Sequence, residues 1–282
     1  MKRVVVTGIG AVTAIGNNVQ EYLENLRKGL SGAALIRSFD AALFKTRFAC
    51  EVKDFNPEVA IEKKEVRRLD LFTQFAMVVA HEALQMSGLN LGKIKPDRCG
   101  VIFGSGVGGL LTMEQEITAF AKGNGTPRYS PFLIPKMISN IAAGLIAIKY
   151  GFMGINYATV SACATSNHAI INALDYIRLG KADVIVSGGS EAVVCATGVG
   201  GFTAMHAMST RNDSPETASR PYDKDRDGFV LGEGGGALIL EEYQHAKKRG
   251  ANILCEIVGG GMSCDAYHMT APHPEGDRKS VV

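Results

Sequence analysis

The sequence carries no charge of one dominant sign: 30 Lys and Arg stand against 28 Asp and Glu, a net charge of +2 over 282 residues. A global basic footprint for nucleic acid or an anionic membrane surface is therefore excluded. Long hydrophobic runs are also missing. The longest, residues 141–148, falls far short of the roughly 20 residues a membrane span needs. At the N-terminus only Val4, Val5 and Val6 precede Thr7-Gly8, where a secretory signal needs about 7–15 apolar residues. Cysteine is sparse and irregular: six residues, with no CxxC pair, which rules out a zinc ribbon and argues against a disulfide framework. No GxxxxGK[ST] run exists, so a phosphate-binding P-loop fails outright. These absences lead to the expectation of a soluble, cytoplasmic protein of a reducing compartment, with no metal.

What is present builds a core. Hydrophobic residues make up 46% and glycine 33 positions, the composition of a globular chain of one large domain or two smaller ones. Strands are predicted over residues 3–7, 100–103, 157–162, 183–187 and 236–240. Helices are predicted over 18–30, 64–87, 110–120, 138–150, 166–179 and 241–249. Their alternation argues for an α/β architecture with a mixed or parallel sheet. A further strand over 253–258 runs into Gly259-Gly260-Gly261 and echoes residues 4–10. The echo reads equally as chance or as the start of a duplicated second unit.

Three motifs have bland readings that outweigh the sharp ones. Gly104-Ser105-Gly106-Val107-Gly108-Gly109 matches GxGxxG between a strand and a helix, yet no acidic residue follows at the end of a second strand. A tight turn with close backbone packing is the favoured account. Asp223-Lys224-Asp225-Arg226-Asp227-Gly228 imitates half of a calcium loop, but the twelfth position is Gly234 rather than Glu. A charged, solvent-facing turn explains it better. Lys63-Lys64-Glu65-Val66-Arg67-Arg68 reads as a solvated helix face, or more sharply as a docking patch for an acidic partner.

Cys163 is different. It lies in Val160-Ser161-Ala162-Cys163-Ala164-Thr165-Ser166, where a buried strand is expected to break into a helix. A thiol there meets the positive end of the helix dipole and unpaired backbone N–H groups, which favour the reactive thiolate. Small neighbours leave room for a substrate. Cys99, Cys195 and Cys255 read instead as small core hydrophobes.

The segment around Cys163 resembles that of a β-ketoacyl-[acyl-carrier-protein] synthase. So do residues 104–110, Ser209-Thr210-Arg211-Asn212-Asp213, residues 218–223, 226–234 and Asp265-Ala266-Tyr267-His268-Met269-Thr270. The resemblance covers essentially the whole chain and is nearest to the synthase II type. It implies a thiolase-like fold, of which residues 1–250 would form the N-terminal half of a duplicated α-β-α-β-α architecture and 251–282 the start of the second half. It implies that Cys163 takes an acyl chain from acyl carrier protein, and that a malonyl-carrier thioester then loses CO₂ and attacks it. The Cys163 N–H would serve one oxyanion, Val107 and Phe202 would line or gate the acyl pocket, and Thr270 would lie near the phosphopantetheine entrance. Lys64, Arg67, Arg68 and Arg128 would dock the carrier, with His206 at a further position that is basic in the family. A homodimer is implied, and no cofactor beyond the carrier's own arm. The family's two catalytic histidines and a second oxyanion loop match nothing in residues 1–282, so the chain is expected to be an incomplete, doubtfully active fragment. The alternatives are a non-catalytic carrier-binding or dimer-forming remnant, and a relative acting on coenzyme A thioesters.

Overall fold

The computed structural model describes residues 1–268, 270 and 273–275. Strand β1 (Val4–Val12) opens the chain, and α1 (Val19–Arg27) follows, started by the Asn18 side chain, which accepts the Glu21 N–H at 2.8 Å. Strands β2 (Ala34–Leu35) and β3 (Phe48–Ala49) pair as a short antiparallel ribbon. Helices α2 (Lys63–Val66) and α3 (Leu71–Ser87) then replace the single helix expected over 64–87.

Asp70 causes that break. It is buried, and one oxygen accepts the Phe72 N–H at 3.2 Å. The other takes the Thr112 N–H at 3.0 Å and the Thr112 hydroxyl at 2.5 Å. A buried carboxylate needs such donors, and the extended backbone that caps α3 cannot also continue a helix from α2.

Strand β4 (Cys99–Gly104) is buried throughout, and α4 (Leu110–Lys122), α5 (Leu133–Met137) and α6 (Ile141–Tyr150) follow. The helix predicted over 138–150 thus starts later, after a separate short one. Strand β5 (Asn156–Tyr157), α7 (Thr165–Arg178), β6 (Val184–Glu191), α8 (Ala196–Ala204) and β7 (Gly234–Glu242) come next. The chain then forms α9 (Tyr243–Lys248) and β8 (Cys255–Glu256). The strand expected over 253–258 is therefore two residues long, and the boundary expected at 250 falls between these last two elements.

Six strands form one mixed sheet in the order β5-β4-β6-β7-β1-β8. Strand β4 runs parallel to β5 and β6, and β7 is antiparallel to both β6 and β1. The two-residue period of each strand divides its side chains between two cores. Val101, Phe103, Val184, Val186 and Ile239 face Phe72, Phe75 and Val79 of α3 and Ile146 of α6. Ile102, Ile185 and Leu240 face Ala169, Ala173, Leu174 and Ile177 of α7. Three layers result, α-β-α, as expected for one half of the duplicated architecture.

Glu241 is the charged group buried deepest in this frame. Its carboxylate accepts from the Thr7 hydroxyl at 2.9 Å and from Arg249 Nε and Nη2 at 2.7 and 2.8 Å. His245 Nδ1 lies 2.5 Å from Glu241 Oε1. Burial pushes the Glu241 carboxyl up, and these hydrogen bonds more than offset it, leaving it below the ordinary value. The same contact raises the His245 imidazole above its ordinary 6.5. A raised histidine contributes its full stabilisation below its unfolded pKa and loses it as pH rises through the folded one. Unfolding midpoints in urea should therefore fall as pH is taken upward from 6.5, and His245→Gln should flatten that slope. Equal slopes in both proteins would contradict the assignment.

Candidate active site

The sheet ends in a row of glycines. Gly104 of β4 pairs with Gly189 of β6, which pairs with Gly236 of β7. A Cβ on Gly104 would stand 2.2 Å from Thr165 Cγ2, and one on Gly189 would stand 2.3 Å from Ser166 Oγ. Bare backbone is what lets the first turn of α7 settle on the strand ends.

Just ahead of α7 the chain makes one 3₁₀ turn, Ala162–Ala164, with Cys163 at its centre and exposed. The strand expected over 157–162 is absent, since β5 stops at Tyr157. The Thr159 hydroxyl donates to the Thr165 carbonyl at 2.9 Å, and the Ser161 N–H donates to Thr165 Oγ1 at 2.8 Å. These side-chain bonds draw the segment into a knot rather than a ladder, and Val160 is left 60% exposed. Ala162 has φ +48°, the left-handed region, at a cost of order 1–2 kcal/mol for a residue with a Cβ. That strained turn projects Cys163 from the helix start.

Cys163 lies on a cleft of about 740 Å³ whose walls include Val12, Val193, Phe202, Phe229 and Leu231. Phe202 meets Phe229 edge to face at 5.4 Å. Val107, half exposed, lines the same cleft, so three of the expected positions come together. Thr270 does not line it; it is exposed, and its N–H donates to His268 Nδ1 at 3.1 Å.

The glycine-rich loop 104–109 is held by an acid that sequence reasoning missed. Glu191, at the end of β6, accepts the Ser105 hydroxyl at 2.9 Å and the Gly106 and Val107 N–H groups at 2.7 and 3.0 Å. The donors a dinucleotide phosphate would need are thus already engaged, in agreement with the tight-turn reading. A Glu two residues past the glycines of β6 was the available signal. Burial pushes the Glu191 carboxyl up, against the pull of those donors. Glu233, also on the cleft, is pushed up to about 7 by burial, with the Glu51 charge adding and the Val52 N–H opposing. The calcium-like run is a salt-bridged turn, with Arg220 2.8 Å from Asp223 and Arg211 3.4 Å from Asp227. Among the described residues no group of three or more His, Cys, Asp or Glu is arranged to hold a metal.

The other thiols are poorer nucleophiles or lie elsewhere. Burial pushes Cys99 up to about 12 and Cys195 up to about 11, and raises Cys50 as well. Cys255, expected in the core, is exposed, because β8 is a two-residue strand at the edge of the sheet. None of the described histidines lines the cleft. His168, one turn into α7, is engaged with the Ser161 hydroxyl at 2.8 Å, and His81 with the Tyr150 hydroxyl at 3.0 Å.

Three of the expected docking positions cluster at α2. Lys64, Arg67 and Arg68 lie on or just beyond α2 and are exposed. Lys64 pairs with Glu62 at 2.8 Å, and Arg68 pairs with Glu65 at 2.8 Å while its guanidinium lies over the Phe132 ring. The Arg68–Phe132 contact ties the turn after α2 to the start of α5, and exposed Arg128 lies four residues ahead of Phe132. Arg67 borders a groove shared with Lys63 and Lys136. His206, exposed, follows α8 with φ +54°.

Residues 1–246 match the family model described as Beta-ketoacyl synthase, N-terminal domain. The chain belongs to the β-ketoacyl synthase family. A 3-oxoacyl-[acyl-carrier-protein] synthase 2 of Coxiella burnetii is 47% identical over 98% of the chain, which spans 66% of that relative's length. A solved β-ketoacyl synthase of Burkholderia phymatum superposes with a TM-score of 0.86 at 34% identity, covering 96% of this chain and 67% of that one. A solved ketosynthase captured with a type II PKS acyl-carrier protein and bound to a hexaketide superposes with a TM-score of 0.73 at 27% identity, covering 92% and 68%. The three-layer arrangement is accordingly the synthase family's thiolase-like fold, and no helix of the described residues is long and apolar enough to cross a membrane.

Limiting iodoacetamide on the folded chain, mapped by mass, should label Cys163 first, with buried Cys99 and Cys195 slower by at least about tenfold. Labelling led by Cys50, Cys255 or Cys264 would remove Cys163 from its role.

Proposed function

We propose that this chain carries the acyl-accepting centre of a condensing enzyme of fatty-acid elongation, working on acyl carrier protein thioesters. The observation that supports this most is the exposed Cys163 on a strained turn at the start of α7, facing a cleft with apolar walls. In this reading the Cys163 thiolate attacks the carbonyl carbon of an acyl thioester. A new C–S bond forms, the oxyanion is met by the Cys163 N–H, and the carrier's thiolate leaves and takes up the proton. A malonyl-carrier thioester then loses CO₂, and the electron pair of the broken C–C bond remains on its α-carbon. That carbon attacks the Cys163-bound carbonyl, Cys163 Sγ departs, and a 3-oxoacyl thioester remains on the carrier. Val107 and Phe202 serve as walls for the acyl chain, and Thr270 lies toward the approach of the phosphopantetheine arm. No metal or further cofactor is called for, since the carrier's own arm activates both carbonyls.

Polarising the malonyl thioester requires further donors, each worth about 10²–10³ in rate. No described histidine on the cleft supplies them. The 282-residue chain given hexadecanoyl-carrier should therefore gain the acyl mass on the Cys163 peptide. Given malonyl-carrier as well, it should release CO₂ and 3-oxoacyl product only near background. Absence of acylation would overturn the acyl-accepting role, and ready turnover would overturn the argument from the histidines.

Carrier docking is proposed on Lys64, Arg67, Arg68 and Arg128, with support from the exposure of all four and the contact of Arg68 with Phe132. Opposite charge steers such encounters and is screened by salt. A homodimer is proposed through β5, a two-residue strand at the sheet edge with Met153 and Val160 exposed beside it. Reversing charge with Arg67→Glu and Arg68→Glu should weaken carrier binding by about tenfold at low salt and flatten its salt dependence. Unchanged titration curves would refute the docking surface.

A further inference from the structure

Resting on the acyl-cleft reading above, we propose that Glu191 is a positioning residue that sets which acyl chain lengths Cys163 accepts, by holding the 105–108 loop against the cleft. Between positions 104 and 109 the sequence is Gly-Ser-Gly-Val-Gly-Gly, and Val107 is its one apolar side chain. Four glycines in six residues cannot fix their own backbone. Something outside the loop must do so. The Glu191 carboxylate takes the Ser105 hydroxyl on one oxygen and the Gly106 and Val107 N–H groups on the other. Ser105 Oγ in turn accepts the Gly108 N–H at 2.9 Å. Four consecutive residues thus hang from one side chain at the end of β6.

The loop is also wedged against the nucleophile's turn. A Cβ on Gly106 would lie 2.9 Å from Glu191 Oε2 and 3.6 Å from the Ala162 carbonyl oxygen. Any slack in the carboxylate's grip therefore moves Val107 relative to Cys163 and alters the room left for a chain. The role is one of acceptors rather than charge. In Glu191→Gln the amide oxygen can take both N–H groups, while the amide NH₂ donates to Ser105 Oγ. In Glu191→Leu all three donors lose their acceptor and the loop is released.

The test measures Cys163 alkylation by N-dodecylmaleimide against N-ethylmaleimide, and Cys163 acylation by hexadecanoyl- against octanoyl-pantetheine. Iodoacetamide rate and circular dichroism report folding and thiol access. Wild type should discriminate between the chain lengths, and Glu191→Gln should keep the ratio within about twofold. Glu191→Leu should bring the ratio toward unity by about tenfold, the scale on which an apolar pocket distinguishes small differences in chain. Should Glu191→Leu fail to fold, Ser105→Ala, which cuts two of the four ties, should move the ratio the same way by a smaller factor. A ratio unchanged in Glu191→Leu and Ser105→Ala, a wild type without discrimination, or a Gln variant as altered as Leu would each overturn the proposal. If pantetheine thioesters leave wild-type Cys163 unmodified while the maleimide ratio still responds, the acyl-transfer reading fails and the loop assignment stands.

Discussion

Everything at the site hangs on Thr165. Its carbonyl receives the Thr159 hydroxyl and its own hydroxyl oxygen receives the Ser161 N–H, so one residue closes the turn on both sides. Ala162 could not otherwise rest at φ +48°, because its Cβ makes that conformation costly by more than a typical single hydrogen bond returns. Two bonds sharing one residue meet that cost, and Thr165 itself is buried on the sheet end. The side chain that would collide with Thr165 is the one Gly104 lacks. The nucleophile's exposure is thus set by a glycine on a neighbouring strand and a threonine two residues on, not by Cys163.

The same sheet end solves a second difficulty, which is that glycines give space but no rigidity. Gly104, Gly189 and Gly236 make a floor without side chains, and the cost is a loop, 105–108, with little structure of its own. Glu191 supplies the missing constraint from the strand that carries Gly189. Helix α8 shows a related arrangement at a distance. Its sequence, Ala-Thr-Gly-Val-Gly-Gly-Phe-Thr-Ala, is poor in helix formers, yet the Glu114 carboxylate accepts the Thr197 N–H at its start. An acid at a helix N-terminus satisfies an orphan donor and the dipole together. Phe202 is held on the cleft by that helix.

The parts legible in the sequence were those whose signal is local. The apolar runs of β4, β6 and β7 and the periodicity of α3 and α7 are carried by neighbouring residues, and the small residues around Cys163 mark the turn. What stayed hidden depends on partners far along the chain. The break before α3 needs Thr112, 42 residues from Asp70. The Glu191 tie spans 84 to 86 residues, and no pattern within either segment announces the other. Val160 made 157–162 look like a buried strand, because an apolar residue in an irregular, exposed turn has no local mark. Helix α8 was concealed by Gly198, Gly200 and Gly201, whose weak propensity is overruled by packing of Val199 into a buried cluster with Val193, Val194 and Met208.

Two carboxyl groups stand in a cleft with apolar walls, and their donors explain how they are held there. Glu191 has three donors and is raised by burial all the same; Glu233 has the Val52 N–H at 3.0 Å and Glu51 nearby, and is raised to about 7. An acid whose folded value lies above its ordinary 4.5 costs the native state stability as pH rises from 4.5 toward 7. That cost persists because the groups do work the apolar lining cannot. Glu191 orders the loop that carries Val107, and Glu233 fixes the backbone where the segment after β3 meets the strand end of β7. Burial opposes the ionisation of both acids, and their donors oppose that in turn. The cleft's apolar character and its internal order are therefore compatible only because these acids act through hydrogen bonds.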